Sequence, residues 1–212
     1  MLTEYGAIGI VAGLRDATTS RDRNRAALLC GALIRLGSDH VTLPAVRASD
    51  AVADAITAFP GDVVVAQVAL GALYHTWIAP VDTERLVSLT LDEMARHKTC
   101  LLLQQAGLRL LKVHAASGQQ LLMAPVVLST VAIAMRAFRD DDTIQHWSAE
   151  IICCLASIDP ADLIRAHGRS TVRAMAKLAS QLAANAPRPT TLVIAGEPWY
   201  RLVHTICRAV NA

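Results

Sequence analysis

The sequence predicts an all-α fold made of stacked helical repeats. Apolar side chains recur in two ladders with a period of roughly 40 residues, a spacing typical of helical solenoids. The composition agrees, because Phe, Trp and Tyr together make up only 4% of the 212 residues, and small apolar side chains suit close helix packing. The first ladder is Leu33, Leu73, Leu110 and Leu155, and the second is Val11, Ile56, Met94, Met135 and Met175.

Each repeat is expected to hold at least two helices, because the two ladders share a period but are offset from one another. Residues that favour turns separate the apolar segments. Their Asp and Ser side chains can accept hydrogen bonds from the free N–H groups that begin the next helix. These predicted breaks lie at residues 37–39, 60–62, 79–80, 117–118, 140–142 and 158–160.

Two short segments resemble the armadillo repeat family. The letters GAI at residues 6–8 are similar to the start of the second helix of that repeat, and ALIRL at residues 32–36 is similar to the end of its third helix. The resemblance implies a right-handed α-solenoid of about four to five three-helix repeats, with the chain starting within a repeat. Helix pairs of the HEAT type are the competing architecture.

The resemblance divides a single domain, residues 1–212, into repeats. A partial repeat covers 1–37, fuller repeats cover about 38–78, 79–117 and 118–158, and an irregular C-terminal repeat or cap covers 159–212. In the cap we expect a final pair of helices around Leu192 and Leu202, with Pro198 in the first turn of the last helix. Such a cap would hide the last apolar face of a solenoid.

One residue of each third helix is expected to face a concave groove. In armadillo proteins that bind extended peptides this slot holds Asn, which both donates to and accepts from a peptide backbone. In this chain the slot holds Arg35, His75, Lys112 and Ser157. The cationic residues predict an acidic or phosphorylated partner segment and disfavour basic nuclear-import signals. An ordinary solvated helix face is the alternative.

A second candidate surface is a basic run with a spacing of four residues, which places its members on one helix face. It consists of Arg165, Arg169, Arg173 and Lys177. Asp159 and Asp162 are the nearest acids that could relieve the repulsion between them. The run suits a solvated face, an anionic protein partner or a nucleic acid, and the last is disfavoured because no aromatic stacking motif accompanies it.

The sequence shows no catalytic motif, so we expect no catalytic residues, metal site or cofactor. Its seven histidines and five cysteines lack the HExxH and CxxC spacings of metal sites. The longest apolar runs are too short for a membrane span, and no basic leader precedes the apolar stretch near the N-terminus. These patterns predict an intracellular, cytoplasmic protein, with the nucleus and the cytoskeleton left open.

These observations predict a non-catalytic scaffold that binds a segment of a partner protein in its groove. The first alternative is a structural subunit that uses the solenoid ends and the convex face. It would self-associate through an exposed N-terminal edge formed by Ile8, Ile10, Val11 and Leu14. The second alternative is an enzyme with a pocket built from several repeats.

Overall fold

The computed structural model describes residues 2–38, 48–76, 83–116, 123–156, 160–185, 193–194 and 197–198. The predicted all-α class is confirmed for this part of the chain, apart from one short ribbon. The helices are α1 (Leu2–Thr19), α2 (Arg23–Ser38), α3 (Ala48–Ala58), α4 (Val63–Thr76), α5 (Thr83–Arg96), α6 (Leu101–Ala116), α7 (Ala124–Ala137), α8 (Asp142–Ala156), α9 (Pro160–His167) and α10 (Arg169–Asn185). None of these helices is long and apolar enough to cross a membrane.

The ribbon consists of two antiparallel strands, β1 (Val193–Ile194) and β2 (Glu197–Pro198), in which Val193 is opposite Pro198. Pro198 therefore lies in an extended strand, and its predicted place in the first turn of a helix is wrong. A proline has no N–H to donate, and a two-stranded ribbon tolerates it because both of its strands are edges. Leu192 and Leu202 lie outside the described residues.

Helices α1 to α8 form four pairs, and the turns within these pairs share one construction. A cap residue precedes the second helix of each pair, and its backbone oxygen accepts a hydrogen bond from the N–H four residues later. The caps are Asp22, Asp62, Cys100 and Asp141. This repetition confirms the predicted breaks at 60–62 and 140–142, whereas the turns before Asp22 and Cys100 were not predicted.

Three of the caps are aspartates whose carboxylates accept further backbone hydrogen bonds. The carboxylate of Asp22 accepts from the N–H of Arg25 at 3.1 Å, that of Asp62 from Val65 at 3.0 Å, and that of Asp141 from Ile144 at 2.8 Å. Each such cap stabilises its helix by about 1 kcal/mol. The residue before the cap is left-handed in the first two turns, with φ of 55° at Arg21 and 80° at Gly61.

In the third and fourth pairs, a buried glutamine ties the second helix to the end of the first. The side-chain amide of Gln104 donates to the backbone oxygens of Met94 at 2.8 Å and His97 at 3.2 Å. The amide of Gln145 donates to Met135 and Phe138, both at 3.0 Å. The two glutamines therefore donate to the carbonyl groups of Met94 and Met135 near the helix end, and they add a second donor at His97 and Phe138, whose carbonyl groups also accept from the N–H groups of Cys100 and Asp141.

The chain forms two compact units, Met1–Leu110 and Leu111–Ala212. In the first unit the helices pack in two layers. The first helices contact each other, α1 against α3 and α3 against α5, while α2 of the second layer packs on α4. The layers meet where α1 contacts α2 and α3 contacts α4. Both sequence ladders supply this core: Leu33, Leu73, Ile56 and Met94 are buried.

In the second unit α7 packs against α8, and α10 packs against both α9 and α7. The last described helix, α10, therefore lies on the first helix of the preceding pair, unlike α4 in the first unit, which packs on a second helix. Val172 and Ala176 supply the buried side of α10, and Leu155 and Met135 are buried among the other helices. The remaining ladder member, Met175, is only partly buried.

The predicted N-terminal edge differs from the structure. Val11 is 2% exposed and Leu14 is fully buried, whereas Ile8 is 47% exposed. Two of the four edge residues therefore belong to the core, because α1 packs against both α2 and α3.

Each predicted repeat contains two described helices. In the first four repeats the additional short helix of an armadillo repeat would fall within 39–47, 77–82 and 117–122, which lie outside the described residues. The described residues therefore show helix pairs, and the three-helix repeat stays a prediction.

Glu93 occupies a core position that is alanine in neighbouring pairs. Glu93 lies seven residues before the cap residue Cys100, and its side chain is 3% exposed. The equivalent residues of the neighbouring pairs are Ala55 in α3 and Ala134 in α7. Its carboxylate pairs with Arg96 and lies 3.4 Å from Nε2 of His97. Burial raises the pKa of Glu93, and the positive charges of Arg96 and His97 oppose that rise only in part.

We predict that replacing either buried glutamine by methionine lowers the free energy of unfolding by about 1–3 kcal/mol. Methionine has nearly the same shape but takes the side-chain donor away from the buried carbonyl groups of Met94 and Met135. Urea denaturation of Gln104→Met and Gln145→Met measures the loss, and Gln67→Met on the half-buried side of α4 is the control. A loss no larger than that of the control would show that these hydrogen bonds do not stabilise the turns.

We predict that Glu93→Gln stabilises the protein at pH 7. The pKa of Glu93 in the folded state lies above the ordinary 4.5. Between pH 4.5 and that raised pKa, the folded chain therefore holds more protons than the unfolded chain. The free energy of unfolding therefore falls as the pH rises through this window. Glutamine has no carboxylate to ionise and avoids that loss. Urea denaturation at pH 7 and pH 4 is the measurement. The gain should shrink at pH 4, and the exposed Glu84→Gln on the same helix is the control for the substitution itself; a gain that is equal at both pH values contradicts the prediction.

Candidate functional site

A groove of about 710 Å³ runs along the exposed side of α2 in the first unit. Six residues of α2 line it, and Val68 of α4 forms part of a side wall. The lining residues are Asn24, Ala27, Leu28, Gly31, Ala32, Arg35 and Val68. Most of this lining is apolar, and the polar side chains of Asn24 and Arg35 stand at its two ends.

The groove exists because α2 is apolar on two opposite sides. Ala26, Cys30 and Leu33 are spaced by four and three residues and are fully buried against the core. Leu28 lies about 200° around the helix from Ala26 and is 74% exposed. Burial raises the pKa of the Cys30 thiol to about 12, so the inner side carries a neutral thiol.

The helices that form the groove contain no carboxylates. Neither α2 nor α4 contains Asp or Glu, whereas the first-layer helices contain two such residues in α1, two in α3 and three in α5. At the start of α2, Arg23 pairs with Asp62 at 3.2 Å and Arg25 pairs with Asp16 at 2.6 Å. Arg35 lies at the other end of α2, in its last turn, and is exposed. The groove is therefore apolar along its length and cationic at one end.

His75 was predicted to join Arg35 in the groove, but it is packed between helices. Its ring stands edge-on to Tyr74, with ring centroids 5.0 Å apart. Burial lowers the pKa of His75, and the positive charge of Arg109 lowers it further. His75 is therefore neutral at pH 7 and does not provide a second cation.

Gly37 sets how closely α2 and α4 approach at this point. A Cβ atom at Gly37 would collide with the Cβ of His75 and lie 3.1 Å from the backbone oxygen of His75. Because a backbone atom cannot rotate away as a flexible side chain can, the contact requires glycine.

Lys112, the third predicted groove cation, forms an ion pair in the second unit. Its Nζ lies 2.6 Å from Oε2 of Glu150, and Nε2 of His146 lies 3.6 Å from the same oxygen. The charge of Lys112 is thus balanced within the protein. Ser157, the fourth predicted residue, lies outside the described residues.

Successive second helices contact each other at equivalent positions, counted from the cap residue of each pair. The contact joins the residue nine positions after one cap to the residue twelve positions after the cap of the preceding pair. A Cβ added at Gly71 would lie 3.0 Å from Ile34, and the guanidinium of Arg109 lies 3.8 Å from the ring centre of Tyr74. In the second unit this contact is the ion pair of Glu150 with Lys112.

The uneven spacing of the caps explains why the contacts of Arg109 and Lys112 were not predicted from the sequence. Successive caps are 40, 38 and 41 residues apart. The recurring leucines alone therefore do not identify equivalent positions in successive helices. Thirteen residues after the caps lie Arg35, His75, Val113 and Cys154. Lys112 therefore precedes the position equivalent to Arg35 and His75 by one residue. The capping aspartates are the sequence signal that gives the register.

The predicted basic run does not lie on one helix. Gly168, with φ of 79°, separates Arg165 on α9 from the other three residues on α10, because its left-handed backbone ends α9. Arg165 pairs with Asp162 at 2.6 Å, as predicted for one of the two nearby acids. Asp159 lies outside the described residues. On α10, Arg169, Arg173 and Lys177 are exposed on one face.

Among the described residues, no group of three or more His, Cys, Asp or Glu side chains is arranged to hold a metal ion. The described cysteines are free thiols, and burial raises the pKa of Cys153 to about 11. A neutral thiol is a poor nucleophile, because the thiolate is the reactive form.

Comparison of the chain with protein-family models, curated proteins and solved structures found no match. The resemblance to armadillo repeats therefore stays a prediction that rests on the sequence.

We predict that Gly37→Ala lowers the free energy of unfolding by about 1–3 kcal/mol, as overpacking of a tight contact does. The matched control is Gly9→Ala in α1, where a Cβ would meet nothing within 4 Å. That control should stabilise the helix by up to about 1 kcal/mol, because alanine has the higher helix propensity. Thermal unfolding followed by circular dichroism compares the two variants, and equal melting temperatures would argue against the close approach of α2 and α4.

Proposed function

We propose that this chain is a non-catalytic scaffold that binds a segment of a partner protein in the groove along α2. The groove carries the proposal. A leucine that is 74% exposed within an apolar lining is unfavourable in water, and covering it stabilises a complex by roughly 1.5–3 kcal/mol. An armadillo-like solenoid of four to five right-handed repeats in the cytoplasm belongs to the same proposal.

The charges favour an acidic segment. The groove helices carry no carboxylate, and Arg35 lies exposed at the end of the groove, so an acidic side chain of a partner would find an opposite charge there. His75 and Lys112 do not line this groove. Of the four residues that the sequence predicted for the groove, Arg35 is the one among its lining residues.

The alternative is a structural subunit that assembles through exposed apolar side chains. Ile8 and Leu28, both in the first helix pair, are the observation that favours it. Light scattering on the purified protein separates the two functions: a monomer disfavours assembly, and an oligomer that dissociates in Leu28→Arg supports it.

We predict that Leu28→Arg abolishes groove binding. A display library of random peptides, panned against the wild-type protein, should enrich peptides whose affinity falls at least tenfold in this variant, because a buried arginine has no carboxylate to pair with in the groove. Leu102→Arg on α6, a leucine that is 57% exposed and lies outside the groove, is the control and should bind as the wild type does. If no enriched peptide depends on Leu28, the groove is not a binding site for protein segments.

A further inference from the structure

We infer that the exposed face of α10 is a docking surface for an acidic protein segment, whose carboxylates pair with Arg169, Arg173 and Lys177. We call these three residues the α10 stripe. The surface goes beyond the proposed function, because it lies in the second unit and does not use the groove along α2.

The α10 stripe is a row of exposed cations along one helix. Arg169, Arg173 and Lys177 are all exposed, whereas Val172 and Ala176 lie on the buried side of α10. Each cation lies about 6 Å along the helix and about 40° around it from the preceding one, because four residues make slightly more than one turn. Three positive charges therefore stand within about 12 Å of helix length.

The helices around α10 offer the stripe no free carboxylate. Neither α10 nor α7, on which it packs, contains Asp or Glu. Helix α9 contains one such residue, Asp162, and its carboxylate pairs with Arg165 at 2.6 Å. Among the described residues, no cation of the stripe forms an ion pair.

The stripe is unfavourable for the protein on its own. Like charges four residues apart on a helix repel each other, and Arg173 has such a neighbour on both sides. Arg169 also lies in the first turn of α10, where the helix dipole has its positive end. Carboxylates of a bound partner would remove this repulsion.

The residues beside the stripe favour a protein partner over a nucleic acid or a membrane. No residue of α10 is aromatic, so no ring is present on which a base could stack. Proteins that hold duplex DNA through its phosphates make about six to ten such contacts. The exposed neighbours Ser170 and Ala174 are too small to anchor in lipid, and binding to anionic lipid by charge takes about four to eight cations.

Three carboxylates of a protein segment balance the three cations one for one. The guanidinium groups of Arg169 and Arg173 can each donate two parallel hydrogen bonds to one carboxylate. Acidic side chains at every fourth residue of a helix, about 6 Å apart, or at every second residue of an extended chain, about 7 Å apart, match the spacing of the stripe. The small side chains of Ser170 and Ala174 leave such a segment room to approach.

The test pans a display library of random peptides against the full chain at low salt. Fluorescence anisotropy then measures the affinity of each enriched peptide for the wild type, Arg173→Glu, Arg173→Gln and Leu28→Arg. The matched control is Arg15→Glu, at an exposed arginine of α1, which changes the net charge as much as Arg173→Glu does.

We expect peptides rich in Asp and Glu whose affinity falls at least tenfold in Arg173→Glu and by a smaller factor in Arg173→Gln. Their affinity should not change in Arg15→Glu or Leu28→Arg, and it should fall as salt screens the ion pairs. Changing one acidic residue of the peptide to lysine should restore binding to Arg173→Glu.

The melting temperature separates docking from folding. The carboxylate introduced by Arg173→Glu lies four residues from both Arg169 and Lys177, so it replaces repulsion by attraction within α10. We therefore expect this variant to melt at a higher temperature than the wild type while it loses binding. A lower melting temperature would overturn the argument that the stripe is unfavourable without a partner.

Three further outcomes overturn the inference. Equal losses of affinity in Arg173→Glu and Arg15→Glu would mean that the peptides respond to net charge alone. If no enriched peptide depends on Arg173, the face of α10 is only solvated, whereas the proposed function, which is tested at Leu28, is unaffected. A DNA duplex or vesicles containing phosphatidylserine that bind more tightly than the peptides, and lose binding in Arg173→Glu, would replace the protein partner by another anion.

Discussion

The fold depends on one constraint: polar backbone groups at the ends of packed helices must find hydrogen-bond partners. Each of the first four helix pairs meets it in a tight turn, where a cap residue closes the start of the second helix. In two pairs Gln104 or Gln145 also closes the end of the first helix. Because the caps fix where each second helix starts, they also fix which side chains face the core, the neighbouring helix and the groove.

The contacts between second helices show how the chain uses its positive charges. Arg109 stacks on Tyr74, and Lys112 pairs with Glu150, so both cations hold helices together. Arg35, on a helix without carboxylates, is the cation that lies at the end of an apolar groove. In the first unit the acidic residues of the helices lie on α1, α3 and α5, whereas α2 and α4 carry none. The sign of the charge therefore follows the layer to which a helix belongs.

The period of the fold could be predicted from the sequence, because core leucines such as Leu33 and Leu73 recur and turn residues such as Asp62 and Asp141 stand between helices. The turn before Asp22 could not, since Arg21 is an unusual residue for a left-handed position. The neutral state of His75 and the pairing of Lys112 were also beyond prediction. Both depend on contacts across helices whose register varies by up to three residues from pair to pair.

The recurring contact slot makes successive junctions chemically unequal. An aliphatic contact at Ile34 and Gly71 gains strength from release of water, a cation over an aromatic ring at Tyr74 is largely insensitive to pH, and an ion pair at Lys112 weakens as salt screens it. One geometric position thus responds to solvent conditions in three ways. Added salt therefore weakens the ion pair of Lys112 with Glu150, whereas the contact of Ile34 with Gly71 carries no charge that salt could screen.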